Sequence, residues 1–476
     1  MVNQIRKSRI LELVNRTAID RLRWIKKNHF FYSEDIRYMR FLAPENLRVL
    51  DLGCGVGDLL ANLKPSYGVG VDFSQKMIDI AQERHPDLNF IHGDIEISEI
   101  LKNLHGTFDI IVLSDTIGSL NDCEQTLLNL HSLCHRDTRI IISYYNPIWE
   151  PIYNLGGKLG LKAPTIEQNW LTTDDTCNFL ELADFDVIKK DWRQLSPWNF
   201  FGIGGLLNRY IAPFPIIRRL CLRNYIVARP AISGPLHNPS VTVLIPCRNE
   251  KGNIEDAVLR LPRFCDDIEI IYVEGHSKDG TLEEINRVIS AYPQYDIKVA
   301  VQPGKGKGDA VRAGFAMARG DILMILDADL TTPPESMPKF YRILASGKAE
   351  FVNGSRLIYP MENEAMRFLN FIANLIFSWL FTWLLNQRFT DTLCGTKALS
   401  RVHYEKIVEN RSYFGEFDPF GDFDLIFGAS KLNLKVIEVP VRYANRKYGE
   451  TQISRFLHGW LLLKMVVFAF RKLKAF

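Results

Sequence analysis

Two carboxylates separated by one residue follow a short apolar run in the second half of the chain. Residues 322–326 are all apolar, which favours a buried strand because the run is too short for a helix. The side chains of Asp327 and Asp329 then point the same way, since extended residues two apart share a face. Carboxylate oxygens are the ligands that Mn²⁺ and Mg²⁺ prefer, and these ions bind diphosphates. The pattern predicts a metal–diphosphate site, and its alternative is a strand end with two turn-forming aspartates.

A glycine-rich turn after an apolar strand forms a second candidate site in the first half. Asp51 lies near the end of the strand, and Gly53, Gly55 and Gly57 alternate before a helical pattern begins. Glycine allows the backbone to approach a ligand closely. Dinucleotide-binding sites begin in the same way, so this turn alone does not identify the ligand.

Acidic residues also follow the next strands that the sequence predicts in the first half. Asp72 ends the second strand, where a carboxylate can accept hydrogen bonds from a ribose diol. Asp94 follows the third strand and Asp115 the fourth, and both are included in the expected cofactor site. For Asp94 an ordinary loop acid is the alternative. Strands that alternate with helical segments predict a parallel sheet with helices on both faces.

With these motifs in this order, residues 48–146 resemble the class I S-adenosylmethionine-dependent methyltransferases. The resemblance implies a Rossmann-like seven-stranded sheet and S-adenosylmethionine as the cofactor. It also implies that the loop from Asp51 to Gly57 supports the methionine end of the cofactor. Asp72 would hold the ribose, and Asp94 would hold the adenine amino group.

Two segments rich in Trp, Tyr, Pro and Gly, residues 147–170 and 195–222, are expected to form the substrate lid of this domain. His131 and His135 are four residues apart, and a helical solvent face explains them better than a catalytic base does. No motif identifies the methyl acceptor, for which a glycan or a lipid-linked molecule is considered.

The chain has 476 residues, too many for one core, and its net charge of +3 does not favour nucleic-acid binding. Its eight cysteines include no Cys-x-x-Cys pair, which favours reduced cytosolic thiols. The first residues contain no apolar core of signal-peptide length. The expected divisions are residues 1–230 with a helical lead-in at 1–46, a Pro-rich linker at 231–239, a second domain at 240–450 and an amphipathic helix at 451–476.

Six short motifs follow the linker in order. They are Pro246-x-x-Asn249-Glu250, Ser277-x-Asp279-Gly280-Thr281, Gly306-Lys307-Gly308-x-Ala310, Asp327-Ala328-Asp329, Gly354-Ser355-Arg356 and Arg446-x-x-Gly449. With this set, residues 240–450 resemble glycosyltransferase family 2, which has the α/β GT-A fold. Within that family they look most like the polyprenyl-phosphate sugar synthases, such as dolichyl-phosphate mannose or glucose synthase.

The resemblance implies a nucleotide-sugar donor, a UDP- or GDP-linked hexose, and a role for each matching residue. Asp327 would contact the ribose or the metal, and Asp329 would coordinate the metal on the sugar diphosphate. Arg356 and Arg446 suit phosphate groups, which a guanidinium can bind through two hydrogen bonds. The other expected nucleotide-sugar residues are Pro246, Asn249, Glu250, Glu274, Asp279 and Lys307.

The chain departs from that family at two places. The family has Asp-Asp-Gly-Ser after the second strand, whereas this chain has Glu274, Gly275, His276 and Ser277, which leaves the base preference open. In the last motif a glutamine replaces the family's lysine, and Lys447 is the expected substitute for the lost charge.

The acceptor decides whether the second domain needs a general base. A lipid phosphate is already largely ionised, whereas a hydroxyl is a poor nucleophile at neutral pH and requires a base. Asp422 occupies the place where hydroxyl-using relatives carry that base, so it joins Asp329 and Arg356 as a candidate catalytic residue. A structural role explains Asp422 and Asp424 equally well.

Two apolar segments, residues 366–385 and 455–470, raise the question of a membrane. The first has nearly the ~20 residues that span a bilayer. However, it carries a polar stripe at four-residue steps, which favours a helix lying in the interface or packed on a partner. The second is followed by basic residues and suits an anionic membrane surface. Packing on the protein's own core is the alternative for both. The stripe consists of Asn370, Asn374, Ser378 and Thr382.

The sequence therefore predicts a bifunctional transferase at the inner face of the cytoplasmic membrane. Its second domain would transfer a sugar, with inversion and a metal, to polyprenyl phosphate or another membrane acceptor. Its first domain would transfer a methyl group to an acceptor that remains unidentified. The alternative is a glycosyltransferase that acts on a hydroxyl in surface-polysaccharide synthesis, beside a first domain that binds the cofactor without catalysis.

Overall fold

The structure is a computed structural model. It describes residues 2–159, 167–231, 238–359, 368–415, 421, 423–446, 448–449 and 455–476, without the side chains of residues 2–4, 368–371 and 455–458. Asp422 and Lys447 lie outside the described residues, as does the glutamine of the last motif. The chain forms two compact units, residues 1–231 and 232–474.

The N-terminal unit contains a mixed sheet of seven strands among its described residues. The strands are β1 Arg48–Leu52, β2 Tyr67–Asp72, β3 Asn89–His92, β4 Phe108–Ser114, β5 Cys134–Tyr145, β6 Phe185–Arg193 and β7 Arg223–Pro230. Their order is β3-β2-β1-β4-β5-β7-β6, and only the pairings of β7 are antiparallel. The strand order reverses between β1 and β4, which is where ligands bind in sheets of this kind.

The helices of this unit include a long N-terminal pair and several short crossover helices. They are α1 Val2–Lys27, α2 His29–Leu42, α3 Asp58–Asn62, α4 Gln75–Arg84, α5 Ser98–Lys102, α6 Cys123–Asn129, α7 Glu150–Lys158, α8 Thr173–Leu182 and α9 Ile203–Leu206. The Ser74 hydroxyl caps α4 by accepting a hydrogen bond from the backbone N–H of Met77. Within residues 1–46, where a helical lead-in is expected, the helices α1 and α2 span Val2–Lys27 and His29–Leu42.

The prediction for the two neighbouring histidines is wrong. His135 lies near the start of β5, where its Nε2 is 3.1 Å from a carboxylate oxygen of Asp109. His131 stacks on Phe185, with 4.3 Å between ring centroids, and its Nε2 is 2.7 Å from the carbonyl oxygen of Ala183. The helical pattern ends at these residues because tertiary contacts with the sheet outweigh local helical periodicity.

The C-terminal unit contains a second mixed sheet, also of seven strands within the described ranges. The strands are β8 Val241–Cys247, β9 Ile268–Glu274, β10 Asp296–Val301, β11 Ile322–Ile325, β12 Phe351–Ser355, β13 Lys397–Ser400 and β14 Val436–Pro440. Their order is β10-β9-β8-β11-β13-β12-β14, and β13 is antiparallel to both of its neighbours. The strand order reverses here between β8 and β11.

Helices cover this second sheet, and two of them pack on each other. They are α10 Ile254–Leu259, α11 Thr281–Ala291, α12 Lys307–Met317, α13 Met337–Ala345, α14 Phe368–Leu385, α15 Arg401–Glu409, α16 Phe423–Lys431 and α17 Arg455–Leu473. Helices α14 and α17 are neighbours, with the rings of Trp383 and Phe470 at 5.7 Å. Within the described ranges, no helix has both the length and the apolar character needed to cross a bilayer.

Two residues of the predicted polar stripe of α14 face the protein. The hydroxyls of Ser378 and Thr382 both donate to the carbonyl oxygen of Phe389, at 2.7 and 3.0 Å, and Thr382 also accepts from the Phe389 N–H. Apolar side chains elsewhere on the helix are exposed, among them those of Leu375 and Trp379. Ser378 and Thr382 of the predicted stripe are therefore bonded to the helix's own domain, whereas Leu375 and Trp379 are exposed.

Candidate functional site

The C-terminal unit brings two carboxylates and two cations together beyond β11. Asp327 accepts a hydrogen bond from Lys307 Nζ at 2.6 Å. Asp329 accepts one from Arg446 Nη2 at 2.6 Å, and its other oxygen accepts from the N–H and hydroxyl of Thr331 at 3.1 and 2.9 Å. Each carboxylate is thus paired with one basic side chain, which could bind a diphosphate in place of the carboxylate.

Gly395 leaves space beside this pair. A Cβ atom at this position would lie only 2.1 Å from Asp327 Oδ2 and 2.2 Å from Lys307 Nζ, so a larger residue would displace one of them. Two hard oxygen donors next to a gap of this kind fit a divalent cation such as Mn²⁺ or Mg²⁺. Asp327 and Asp329 are the residues that would hold it.

Burial acts to raise the pKa of the Asp327 carboxyl, but nearby cations outweigh it. The pKa lies below its ordinary value because Lys307, Lys397 and Arg356 stabilise the carboxylate. Asp327 is therefore ionised at neutral pH, as a metal ligand has to be.

Glu250 lies on the other side of Arg446. One of its carboxylate oxygens accepts from Arg446 Nη1 at 3.2 Å, and the other accepts from Asn253 Nδ2 at 2.7 Å. Burial raises the pKa of Glu250 to about 7, against the opposing charge of Arg446, and Asp329 adds to the rise. The charge of this site therefore changes near neutral pH.

Three other predicted residues hold the loops around this site. The Asn249 side-chain oxygen accepts from the N–H of Lys278 at 2.8 Å. Glu274, at the end of β9, accepts from the N–H of Ser277 at 2.5 Å. Asp279 accepts from Thr281, from the N–H of Lys251 and from the Tyr448 hydroxyl. Pro246 pairs in register with Val273 near the ends of β8 and β9.

A cavity of about 480 Å³ opens in the N-terminal unit at the carboxyl ends of β1, β2 and β4. Five of the predicted cofactor residues line it: Gly53, Gly55, Asp72, Asp94 and Asp115. Gly57 instead lies at the start of α3, where a Cβ atom would be 2.6 Å from the ring of Phe90. Its φ of +78° also requires a glycine.

The glycine loop is tied to the second strand through Asp72. One oxygen of this carboxylate accepts from the N–H of Gly55 and the other from the N–H of Ser74, both at 2.9 Å. Burial raises the pKa of Asp72, although these two hydrogen bonds oppose the rise. The carboxylate therefore both fixes the loop and borders the cavity.

Asp51 is buried beneath the loop. Only 1% of the residue is exposed, and neither carboxylate oxygen has a hydrogen-bond partner among the described residues. Burial, together with the charge of Asp72, raises the pKa of Asp51 to about 7. A buried polar group without a partner, next to a glycine-lined cavity, fits a site that a polar cofactor completes.

The N-terminal helices form one wall of this cavity, which the sequence did not reveal. Lys7 of α1 forms ion pairs with Asp94 and Glu96, and Arg6 donates to the carbonyl oxygens of Gly118 and Leu120 at 3.1 Å each. These contacts join positions about a hundred residues apart, so no local pattern indicates them.

The cavity also has an aromatic part that could receive a second molecule. Tyr145 and Tyr153 lie 4.6 Å apart between ring centroids, and Arg21 and Tyr32 line the cavity with them. Asp115 borders the same space and is bonded to Arg223. Burial raises the pKa of Tyr153 to about 12, so its hydroxyl keeps its proton at neutral pH.

Comparison with known families identifies both units. A family model described as "Glycosyl transferase family 2" matches residues 242–408, and one described as "Methyltransferase domain" matches residues 44–192. The chain joins a methyltransferase domain to a family 2 glycosyltransferase domain.

The chain is similar to several curated proteins. It is 35% identical over 220 residues to a dolichol-phosphate mannosyltransferase of Pyrococcus furiosus, covering 45% of this chain and 59% of that protein. It is 24% identical over 230 residues to an undecaprenyl-phosphate 4-deoxy-4-formamido-L-arabinose transferase of Sodalis glossinidius, covering 47% and 65%. The chain spans 35–65% of the length of the curated relatives it matches.

Among solved structures, the glucosyl-3-phosphoglycerate synthase of Mycobacterium tuberculosis is 18% identical, with a TM-score of 0.37. The match covers 49% of this chain and 80% of that one.

In the glycosyltransferase domain Arg356 is already bonded to protein. It forms two parallel hydrogen bonds with Asp391, at 2.6 and 2.8 Å, and lies 5.1 Å from the ring centroid of Tyr443. The contact with Asp391 raises the pKa of Arg356 further, despite burial. A phosphate-binding role for Arg356 stays a prediction.

Lys397 is a buried cation of this domain that the sequence analysis did not select. Its ammonium donates to the carbonyl oxygen of Cys394 at 2.5 Å, and its charge helps to lower the pKa of Asp327. A lysine at the start of a strand resembles a solvent-facing residue in sequence, and only the pairing of β13 with β11 reveals its position.

Proposed function

We propose that the glycosyltransferase domain transfers a sugar from a nucleotide sugar to a polyprenyl phosphate. The observation that carries this proposal is the pairing of Asp327 and Asp329 with Lys307 and Arg446 beyond β11. Two carboxylates suit a divalent cation, and two cations suit the diphosphate that this ion accompanies. The names of two relatives support this acceptor, because each name combines a sugar transferase with a polyprenyl phosphate.

The chain's own residues would perform three tasks in this reaction. When bound, Mn²⁺ or Mg²⁺ would neutralise charge on the leaving diphosphate, held there by Asp327 and Asp329. Lys307 and Arg446 would exchange their carboxylate partners for diphosphate oxygens. Arg356, fixed by Asp391, would attract the acceptor phosphate, which attacks without a general base because it is already ionised.

We also propose that the methyltransferase domain uses S-adenosylmethionine, which supplies an electrophilic methyl group when bound. The glycine loop would support its methionine end, Asp72 its ribose and Asp94 its adenine. The cavity and the unpartnered carboxylate of Asp51 support this assignment.

Exposed apolar residues on α14 support peripheral association with a membrane, for which we propose the inner face of the cytoplasmic membrane.

A lipid-extraction assay tests the sugar transfer. The protein is offered radiolabelled UDP- and GDP-hexoses, polyprenyl phosphate and Mn²⁺ or Mg²⁺, and a lipid-soluble product labile to mild acid is expected. Asp329→Asn should lower the rate by roughly 10²-fold or more, as loss of one preorganised electrostatic contact does. Asp296→Asn, an exposed carboxylate of the same domain, is the matched control and should keep the wild-type rate. Label that enters only glycans bearing free hydroxyls would contradict the polyprenyl-phosphate acceptor.

Methyl transfer is tested with tritiated S-adenosylmethionine and the lipid-linked product of the first assay. A labelled product is expected. Cofactor binding without labelled product from any lipid or glycan offered would instead favour a domain that only binds the cofactor.

A further inference from the structure

Exposed apolar side chains are concentrated on two segments that contribute to the lining of the methyltransferase cavity. Two segments carry them, residues 148–159 and 197–220, and we call these segments the cavity rim. Their exposed apolar residues are Ile148, Ile152, Leu155, Leu159, Trp198, Phe200, Phe201, Ile203, Leu206, Tyr210, Ile211, Phe214, Ile216 and Leu220. Exposed apolar surface on this scale marks an interaction site, because a soluble domain gains by burying it.

The two segments form one surface. Ile152, Leu155 and Leu159 of the first and Trp198 of the second line the same cavity. The indole N–H of Trp149 donates to the carbonyl oxygen of Leu220 at 2.9 Å, which joins the start of the first segment to the end of the second. A molecule that enters the cavity therefore passes between exposed apolar side chains.

The backbone of the rim holds two aromatic rings outward. Phe200 and Phe201 have φ values of +41° and +56°, and Phe201 is fully exposed. The left-handed region is unfavourable for a bulky residue, and such strain persists where it serves a function. Two exposed aromatic rings on an unfavourable backbone conformation therefore make this part of the rim a candidate contact surface.

The charge of the rim identifies the kind of partner. It contains four basic residues, Lys158, Arg209, Arg218 and Arg219, and one acid, Glu150, a net charge of +3; Lys158 and Arg219 are exposed, and the other three are partly buried. Aromatic and basic residues beside apolar ones are typical of surfaces that insert into the interface of an anionic membrane. A second copy of this chain suits the rim poorly, because a symmetric contact would place +3 against +3.

The interior of the cavity is suited to the polar head group of a lipid-borne molecule. Behind the apolar rim lie the polar groups of Arg21, Tyr32, Asp115, Tyr145 and Tyr153. A polar head group would reach these side chains while its apolar part remained between the rim residues. A protein seated on the rim would instead close the mouth.

We propose that the cavity rim binds an anionic lipid surface, so that a lipid-borne methyl acceptor enters the cavity from the membrane. The inference rests on the proposed methyl transfer for the identity of the entering molecule. The contact between rim and lipid is measured without turnover, so its failure is distinct from a failure of methyl transfer.

The test places an environment-sensitive fluorophore on the full-length chain at Phe201→Cys. Seven of the eight native cysteines are buried and Cys134 is partly buried, and wild-type protein treated identically gives the background labelling. Vesicles of phosphatidylcholine with and without phosphatidylglycerol are added. A label at Leu182→Cys is the matched control, since Leu182 is exposed on the same domain and does not line the cavity. A label at Trp379→Cys reports on α14 of the glycosyltransferase domain.

We expect the emission at position 201 to shift to the blue and brighten on vesicles that contain phosphatidylglycerol, with no change at position 182. Arg219→Gln should weaken the response at position 201 by roughly fivefold in lipid affinity, as loss of one basic residue near an anionic surface does. Emission at position 201 that stays water-like while position 379 responds would overturn the proposal. So would a label at position 201 that is already blue-shifted without vesicles and reverts on dilution, because a protein would then cover the rim.

Discussion

Asp51 and Glu250 are buried acids, one in each domain, whose pKa values lie at about 7. Desolvation is the largest cause at both positions, because burial penalises the charged carboxylate. Their surroundings differ, however. Glu250 has Arg446 and Asn253 as partners, whereas the oxygens of Asp51 have none among the described residues. Within the described part of the chain, no hydrogen bond or opposite charge offsets the ionisation of Asp51, so ionisation of this carboxyl lowers the free energy of unfolding.

The pH dependence of stability should follow from Asp51. Its pKa rises from 3.8 in the unfolded chain to about 7 in the folded one, so the folded state retains the proton to higher pH. The contribution of this proton to the free energy of unfolding is at its maximum below pH 4, and it is lost as the pH rises through 7. Between pH 5 and pH 7 the loss amounts to roughly 2–3 kcal/mol. Asp51→Asn cannot ionise and should not show this loss.

Calorimetric unfolding of the methyltransferase domain at pH 5, 6 and 7 measures this difference between wild type and variant. The matched control is Asp79→Asn, an exposed carboxylate of α4 that hydrogen-bonds to Gln75, and it should keep the wild-type pH dependence. If the free energies of unfolding of wild type and Asp51→Asn changed equally with pH, Asp51 would not be the cause of the loss.

Among the elements, those with local signals were predictable and those defined by distant contacts were not. The strands β1 to β4 of the methyltransferase sheet and β11 of the glycosyltransferase sheet lie where the sequence predicts them. No strand is predicted after Asp329. The strand β13 has four residues, begins with Lys397 and pairs antiparallel with β11, so neither its length nor its composition distinguishes it from a loop.

The same distinction applies to the sites. Asp327 and Asp329 are close to each other in sequence, as are the glycines of the first loop, so a local pattern makes each group a candidate site. The partners of these residues come from elsewhere in the chain, as Lys7 and Arg446 do. A long-range pair depends on the packing of whole elements, which residue spacing does not encode.

Helix α1 should contribute to cofactor affinity through Lys7. Its ammonium pairs with Asp94 and Glu96, so Lys7→Met would leave two carboxylates without their cation and weaken the attachment of α1 to the cavity. We expect the Kd for S-adenosylmethionine to rise roughly tenfold, equivalent to about 1.4 kcal/mol. Isothermal calorimetry measures the affinity, and hydrogen exchange of α1 reports whether the helix has loosened.

The control for this variant is Arg9→Met, which removes a more exposed basic residue from the same helix. Its affinity should match wild type. Equal losses in Lys7→Met and Arg9→Met would mean that α1 acts through its general charge rather than through the contact with Asp94.

At the scale of the whole molecule, each sheet has its own apolar core, and each site is built from the residues of one unit. Folding free energy and ligand binding should therefore be linked within each domain. Two calorimetric transitions are expected. At a free concentration of 100 times Kd, each ligand should stabilise its own domain by about 2.7 kcal/mol. S-adenosylmethionine should move one transition, and a nucleotide sugar with Mn²⁺ should move the other.

Variants assign the two transitions. Asp72→Asn should abolish the shift caused by S-adenosylmethionine and leave the nucleotide-sugar shift intact, because Asp72 borders only the methyltransferase cavity. Asp329→Asn should abolish the nucleotide-sugar shift and leave the S-adenosylmethionine shift intact, since its partners Arg446 and Thr331 belong to the glycosyltransferase domain. A single transition that either ligand raises would show that the two cores unfold together. In that case the free energy of one site would depend on the occupancy of the other, and the two transfer reactions would be coupled through stability.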